Sequence, residues 1–280
     1  MTPERDATTS SLYGSPSPRI LGATEMQVTS LYVGDLRAPQ EPLSPFLGVD
    51  LSDLGQTVEA LRGADTVVHL GVIPAPGRRS EEVTFRNNII STYNVFNAAT
   101  LLGLRRIVSA SSEQTLGLPF DRKKPAYAPI DEDHLLYPES SYALSKVLGE
   151  EMARQVNRWT GVPIVSLRFP TIMEPHDYAQ FPAFQDDPQR RKWNLWGHVD
   201  ARDVAQNCRL GLEADIQGAE AFIIAAADTV MERPNKELMA MVFPGAPLRA
   251  GIGANETLLS IDKARRLLGY APAHSWRDHV

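Results

Sequence analysis

The sequence predicts an α/β fold: a doubly wound parallel sheet with a smaller lobe toward the C-terminus. Short apolar runs such as Thr66-Val-Val-His-Leu-Gly71 and Pro163-Ile-Val-Ser-Leu-Arg168 have the composition of strands buried on both faces. Amphipathic stretches separate them, and this alternation is the signature of parallel strands joined by helices. Beyond Arg168 the rhythm loosens into Pro, Asp and aromatic residues through Trp196, which reads as a separate lobe.

Residues 1–19, rich in Ser, Thr and Pro, read as a mobile arm. The main domain is assigned to residues 20–168. Its first strand is Gln27–Val33, ending at Gly34-Asp35-Leu-Arg37, and a shorter one is Phe46–Asp50. Ser52 or Asp53 caps a helix over Leu54–Leu61. After the Thr66–Gly71 strand, a helix is predicted from about Ser80 to Leu102, with Val83, Ile90, Val95, Phe96 and Ala99 on its apolar side. Ile107-Val108 follows as a strand, then a Pro-bearing loop over 118–138, a helix through Trp159, and the Pro163–Arg168 strand. Residues 169–280 form the lobe, with a helix over Asp200–Glu213, a strand at Ala221–Ala225 that returns to the main sheet, and a last helix over Ile261–Leu268.

The composition is that of an ordinary globular chain, 43% hydrophobic and 22% charged over 280 residues. A net charge of -6 leaves no electrostatic footprint for nucleic acid. The single Cys208 rules out an internal disulfide and a thiolate metal cluster, and suits a reducing cytoplasm. No apolar run spans a bilayer, and the first residues lack a secretory signal. Asp200 and Asp203 lie at a helix start, where capping and ion pairing with Arg202 account for them better than a metal; no metal is expected.

Tyr142-Ala-Leu-Ser-Lys146 carries the most chemistry. Side chains four apart share a helical face, so the ammonium sits beside the phenol. A free phenol titrates near pH ~10, and a fixed cation lowers that value, making Tyr142 an acid/base group near neutrality. Upstream, Ile107-Val-Ser-Ala-Ser-Ser112 is an apolar strand ending in hydroxyl residues, and open α/β sheets hold ligands at strand ends.

These stretches, together with Gly48-Val-Asp50-Leu-Ser-Asp53, Asn88–Asn94, His198-Val-Asp200-Ala-Arg-Asp-Val-Ala205 and Lys263–Pro272, resemble the extended short-chain dehydrogenase/reductase family, the NAD-dependent epimerase/dehydratase group, from about Val28 to Asp278. The resemblance implies a Rossmann-like fold, NAD as cofactor, and hydride transfer at a hydroxyl of a sugar, sugar acid or nucleotide sugar. It assigns Ser112 to the reacting oxygen, Tyr142 to acid/base work, and Lys146 to the nicotinamide ribose. Asp35 would accept from the adenosine ribose, unless it is a plain loop aspartate. Asp50 and Leu51 would flank adenine; His69, Leu70 and Gly71 would line the dinucleotide cleft, with a histidine merely satisfied at a strand end as the other reading of His69. Asn88 would bond backbone near the catalytic strand or lie at the surface, and Thr171 would meet the nicotinamide amide. Glu113, Trp193 and His198 are candidate substrate contacts, Trp193, Trp196 and His198 forming either a sugar-facing wall or core packing. Arg168 reads as an anchor of the fold or a substrate contact. A homodimer through the helices Asn88–Leu102 and Tyr142–Trp159 is also implied.

The chain departs from the family pattern in two places. Family members open with a Gly-x-x-Gly-x-x-Gly turn that holds the pyrophosphate, whereas only Gly14 and Gly22 precede Val28 here. The first βα unit is therefore expected to be missing or atypical, and a non-catalytic dinucleotide-sensing or degenerate paralogue with impaired NAD binding stands as the alternative function. Dehydratases carry Asp and Glu after the catalytic hydroxyl residue; here Glu113 is followed by Gln114, which cannot exchange a proton, so sugar dehydration is disfavoured.

Overall fold

The computed structural model describes residue 31, residues 33–38 and residues 44–279. The arm at 1–19, the first strand before Val33, and Gly14 and Gly22 lie outside the described residues. What is seen of that strand is β1 (Val33–Asp35), which pairs in parallel with β2 (Phe46–Gly48), Val33 opposite Phe46. Asp53 rather than Ser52 caps α1 (Leu54–Leu61), its carboxylate accepting from Gln56 N at 2.9 Å. Ser52 instead donates to Asp50 Oδ1 from its hydroxyl at 2.7 Å.

A second sheet holds β3 (Thr66–His69), β4 (Arg106–Ser112), β5 (Ile164–Phe169) and β8 (Ala219–Ile223), all parallel and in that spatial order. Both sheets are wholly parallel, as in doubly wound folds, and among the described residues β1 and β2 pair only with each other. The strand expected at Ala221–Ala225 sits two residues earlier, because its register places Ala219 opposite Ile164 and Ile223 opposite Arg168.

Alternating side chains of β4 and β5 divide the core. Ile107 and Ile164 face α2 (Glu81–Leu102) and α3 (Ser141–Thr160), packing with Val95, Phe96, Ala99, Ala153 and Val156. Val108, Val165 and Leu167 face the other way, toward Val204 and Cys208 of α4 (Ala201–Glu213). Each such side chain contributes about 1.5–3 kcal/mol by leaving water. Ile90, expected on the apolar side of α2, points outward and is exposed; at about 3.6 residues per turn it falls on the face opposite the stripe that Val95, Phe96 and Ala99 bury. Helix α4 approaches closely because Gly211 lacks a side chain: a Cβ there would lie 3.1 Å from Val108 Cγ2 and 3.3 Å from Val165 Cγ1.

The rest of the chain builds the lobe. A short parallel pair, β6 (Ile172–Met173) with β7 (Val199–Asp200), ties the end of β5 to the start of α4. Asp200 caps α4 through Arg202 N at 2.8 Å and pairs with the Arg202 guanidinium. Asp203 departs from the sequence reading: fully buried, it accepts from Ala273 N at 3.1 Å and from His274 Nδ1 at 2.7 Å, holding the C-terminal segment. The helices α5 (Asn235–Val242) and α6 (Asp262–Leu268) complete the lobe. The first of these was not foreseen, being only two turns of mixed residues behind Pro234. No helix among the described residues is long and apolar enough to cross a membrane.

Candidate active site

Near the C-terminal ends of β4 and β5 the side chains that face α3 change from Ile107 and Ile164 to Ser109, Ser111, Ser166 and Arg168, giving a polar floor under an otherwise apolar helix. Ser140 starts α3 there, accepting from Ala143 N at 3.0 Å. One face of the helix then presents Tyr142, Lys146 and Glu150 on successive turns, all buried. Lys146 Nζ donates to Ala110 O at 2.7 Å and stands 5.8 Å from the centre of the Tyr142 ring. Two residues beyond Ala110, Ser112 ends β4; its hydroxyl accepts from Gln114 N at 3.2 Å and opens a 3-10 turn, Glu113–Leu116, that packs against α3. The helical spacing of Tyr142 and Lys146 and the strand end at Ser112 thus converge on one region of the sheet.

Burial governs the charges. It pulls the Lys146 amine down to about 7, opposed by the Glu150 carboxylate. It pulls His69 down to about 3, assisted by the Lys146 charge, so that imidazole is neutral. Glu113 is raised well above 4.5 by burial, against the pull of Arg191, and this burial favours the protonated carboxyl. A cavity of about 10 Å³ lies between α2, α3 and the sheet, lined by Asn88, Thr92, Ser109, Ser111, Lys146 and Glu150 among others.

The expected cofactor residues are distributed along the strand ends. Asp35 is exposed at the tip of β1 and accepts from Arg37 N at 3.4 Å. Asp50 follows β2, its carboxyl lowered by bonds from the Ser52 hydroxyl and amide. The Leu51 carbonyl accepts from Asn94 Nδ2 at 2.9 Å, and its side chain packs so tightly on Gly71 that a Cβ there would lie 2.6 Å from Leu51 Cδ1. Leu70 is half-buried beside them. His69 turns into the fold instead, its Nε2 3.2 Å from Thr92 Oγ1, which fits the reading of a histidine satisfied at a strand end. Asn88 is not at the surface: its Oδ1 accepts from Ile73 N at 2.8 Å, while its Nδ2 donates to Ile73 O and to Ser145 Oγ, tying the loop after β3 to α3.

In the lobe, Thr171 Oγ1 accepts from Asn194 Nδ2 at 3.3 Å. Trp193 is half-buried with the Arg191 guanidinium 5.0 Å over its ring. Trp196 and His198 are fully buried: the indole donates to Pro188 O, and the imidazole lies edge-on to Phe181 at 5.4 Å. Both belong to the lobe's core, not to a sugar-facing wall. Leu195 and Trp196 hold φ of 51° and 55°, a left-handed pair that orders Arg191 and Asn194 around the Gly197 carbonyl. Three participants escaped the sequence reading. Glu150 was detectable, four residues past Lys146 on the same face; Ser111 and Arg191 were not, since only the fold brings them to Glu150 and toward Glu113.

The profile of the NAD dependent epimerase/dehydratase family matches residues 19–224. The chain belongs to this family. Among its relatives, an NAD-dependent glucose-6-phosphate dehydrogenase of Haloferax volcanii is 26% identical over 231 residues, 80% of this chain and 73% of that protein. A uronate dehydrogenase of Agrobacterium fabrum is 32% identical over 130 residues, 46% of each chain. The fold is shared with a UDP-glucose 4-epimerase of Thermotoga maritima at a TM-score of 0.66 and 18% identity, covering 89% of this chain and 88% of that one. The family's cofactor is NAD, and the residues present fit its two ends: the exposed carboxylate of Asp35 suits the adenosine ribose, Asp50 and Leu51 after β2 suit the adenine, and the buried Lys146 amine beside Tyr142 suits the nicotinamide ribose. Among the described residues no glycine-rich turn stands ready for the pyrophosphate.

Proposed function

We propose that this member of the family is an enzyme that oxidises a hydroxyl-bearing carbon of a sugar, sugar acid or nucleotide sugar, or reduces the corresponding carbonyl, with Ser112, Tyr142 and Lys146 as its catalytic residues. NAD, when bound, supplies the hydride acceptor. Tyr142 takes the hydroxyl proton as the carbonyl forms, or returns it in the reverse direction. Lys146, fixed by Ala110 O, holds positive charge beside the ring and favours the phenolate. Ser112 donates to the reacting oxygen. Glu113, whose carboxyl burial pushes toward the protonated form next to Ser112, would donate a hydrogen bond to a further substrate oxygen, and Asp35, Asp50, Leu51, Leu70, Gly71, Asn88 and Thr171 are assigned to holding the cofactor. An epimerase would run the same step twice on one substrate.

The observation that carries this reading is the buried ammonium 5.8 Å from the Tyr142 ring at the end of a parallel strand. A second copy of the chain is the proposed partner: exposed Ile90, Tyr93 and Leu101 on α2 and Leu144, Leu148 and Trp159 on α3 form apolar stripes at helical spacing. Screening aldoses, uronates and UDP-sugars at the NADH absorbance band tests the activity. Tyr142→Phe should lower turnover at least about a hundredfold while NAD affinity holds; unchanged turnover refutes the assignment. The rival reading, a dinucleotide binder without catalysis, draws on the missing glycine fingerprint, and gains if NAD binds calorimetrically but no substrate turns over.

A further inference from the structure

The face of α3 that bears Tyr142 and Lys146 bears Glu150 one turn farther on, and its carboxylate is gripped from the sheet below. Arg168 donates to it from Nε at 2.9 Å and from Nη2 at 2.7 Å, and Ser111 Oγ donates at 2.5 Å. The β4–β5 register sets Ser111 beside Arg168, so the two donors approach from adjacent strands. Glu150 and Lys146 line the same small cavity, while the close contact of Lys146 is with Ala110 O.

The groups facing the ammonium are Tyr142 and Glu150 from α3 and His69 from β3, and Arg168 of β5 is bonded to Glu150. His69 is neutral. Glu150 is thus the anion that lines a cavity with Lys146 and is bonded to the buried Arg168, whose guanidinium cannot give up its proton. Were the carboxylate absent, Lys146 and Arg168 would repel each other in a low dielectric, and the amine is the one able to discharge. We propose that Glu150 is a positioning residue for Lys146: anchored by Arg168 and Ser111, its carboxylate keeps the buried amine charged beside Tyr142. The proposal rests on the reading of Tyr142 and Lys146 as the acid/base pair. Burial pulls Lys146 toward neutrality, and Glu150 is the group that opposes it. A residue that merely pinned α3 to the sheet would affect stability and leave the titration of Lys146 alone.

The test is an NMR titration of the lysine side-chain signals in the full chain, with Lys146 assigned through Lys146→Arg. In Glu150→Gln the Lys146 midpoint should fall by about one pH unit or more, tenfold in the protonation equilibrium. In the double variant E150Q/R168M, which removes the repelling cation as well, the midpoint should lie between that of the single variant and wild type. An unmoved midpoint in Glu150→Gln overturns the proposal. Should that variant not fold, the double variant decides, since uncharged groups often replace buried pairs without loss: a midpoint below wild type supports the proposal, and one at or above it overturns it. With a substrate in hand, the alkaline limb of kcat should move to lower pH in Glu150→Gln by the same amount. A shifted Lys146 midpoint in a chain that turns over no sugar would leave the positioning role and remove the proposed activity. Turnover without a shift would do the reverse.

Discussion

Replacing Glu113 by Gln should make the protein more stable, increasingly so as pH rises from weakly acid toward neutral. Glu113 is 2% exposed, and its Oε2 has no hydrogen-bond partner among the described residues. Burial raises its carboxyl well above 4.5, with Arg191 only partly offsetting this. A group whose folded value lies above its unfolded one contributes stability that is fully present below the unfolded value and lost as pH climbs toward the folded value. Above the unfolded value of ~4.3 the unfolded side chain ionises more readily than the buried one, so wild type loses up to about 1.4 kcal/mol per pH unit relative to Glu113→Gln, which cannot ionise, until the folded value is passed. Urea unfolding of both proteins at several pH values measures the difference, and all other titrating groups cancel in it. A difference that stays flat across this window would show that Glu113 ionises freely, and the neutral donor assigned to it would have to be abandoned.

Further expectations concern the packing and the surface. Gly211→Ala should destabilise by about 1–3 kcal/mol without altering the urea m-value, because the new Cβ crowds Val108 and Val165 across the α4–sheet contact; an unchanged midpoint would mean that α4 backs away at no cost. Tyr93→Glu with Leu148→Glu should convert a dimer to a monomer by light scattering while the far-ultraviolet spectrum is preserved, since both positions are exposed; a wild-type monomer would refute the proposed partner outright.

Much of this molecule was readable from local pattern. The near-continuous apolar runs at Thr66–His69 and Ile164–Phe169 fall on strands, and the long helices begin where serines can cap them, at Ser80 and Ser140. Strand Ala219–Ile223 was displaced by two residues, because its limits follow from its partner β5 and not from its own composition. His198 and Trp196 resisted prediction for a related reason: an aromatic or imidazole ring looks the same in sequence whether it faces a ligand or the Phe181 ring.

By itself the sequence determined the shared face of Tyr142, Lys146 and Glu150, since helical spacing is a local property of the chain, and it determined Ser112 at a strand end. Only the tertiary structure decided that Ser111 and Arg168 close on Glu150 across 39 and 18 positions of sequence, that Arg191 looks toward Glu113, and that Asp203 binds the segment at Ala273 and His274. Those pairings depend on strand register and on how helices settle onto the sheet, and the energy that selects them comes from burying distant segments together, which no short stretch of residues encodes alone.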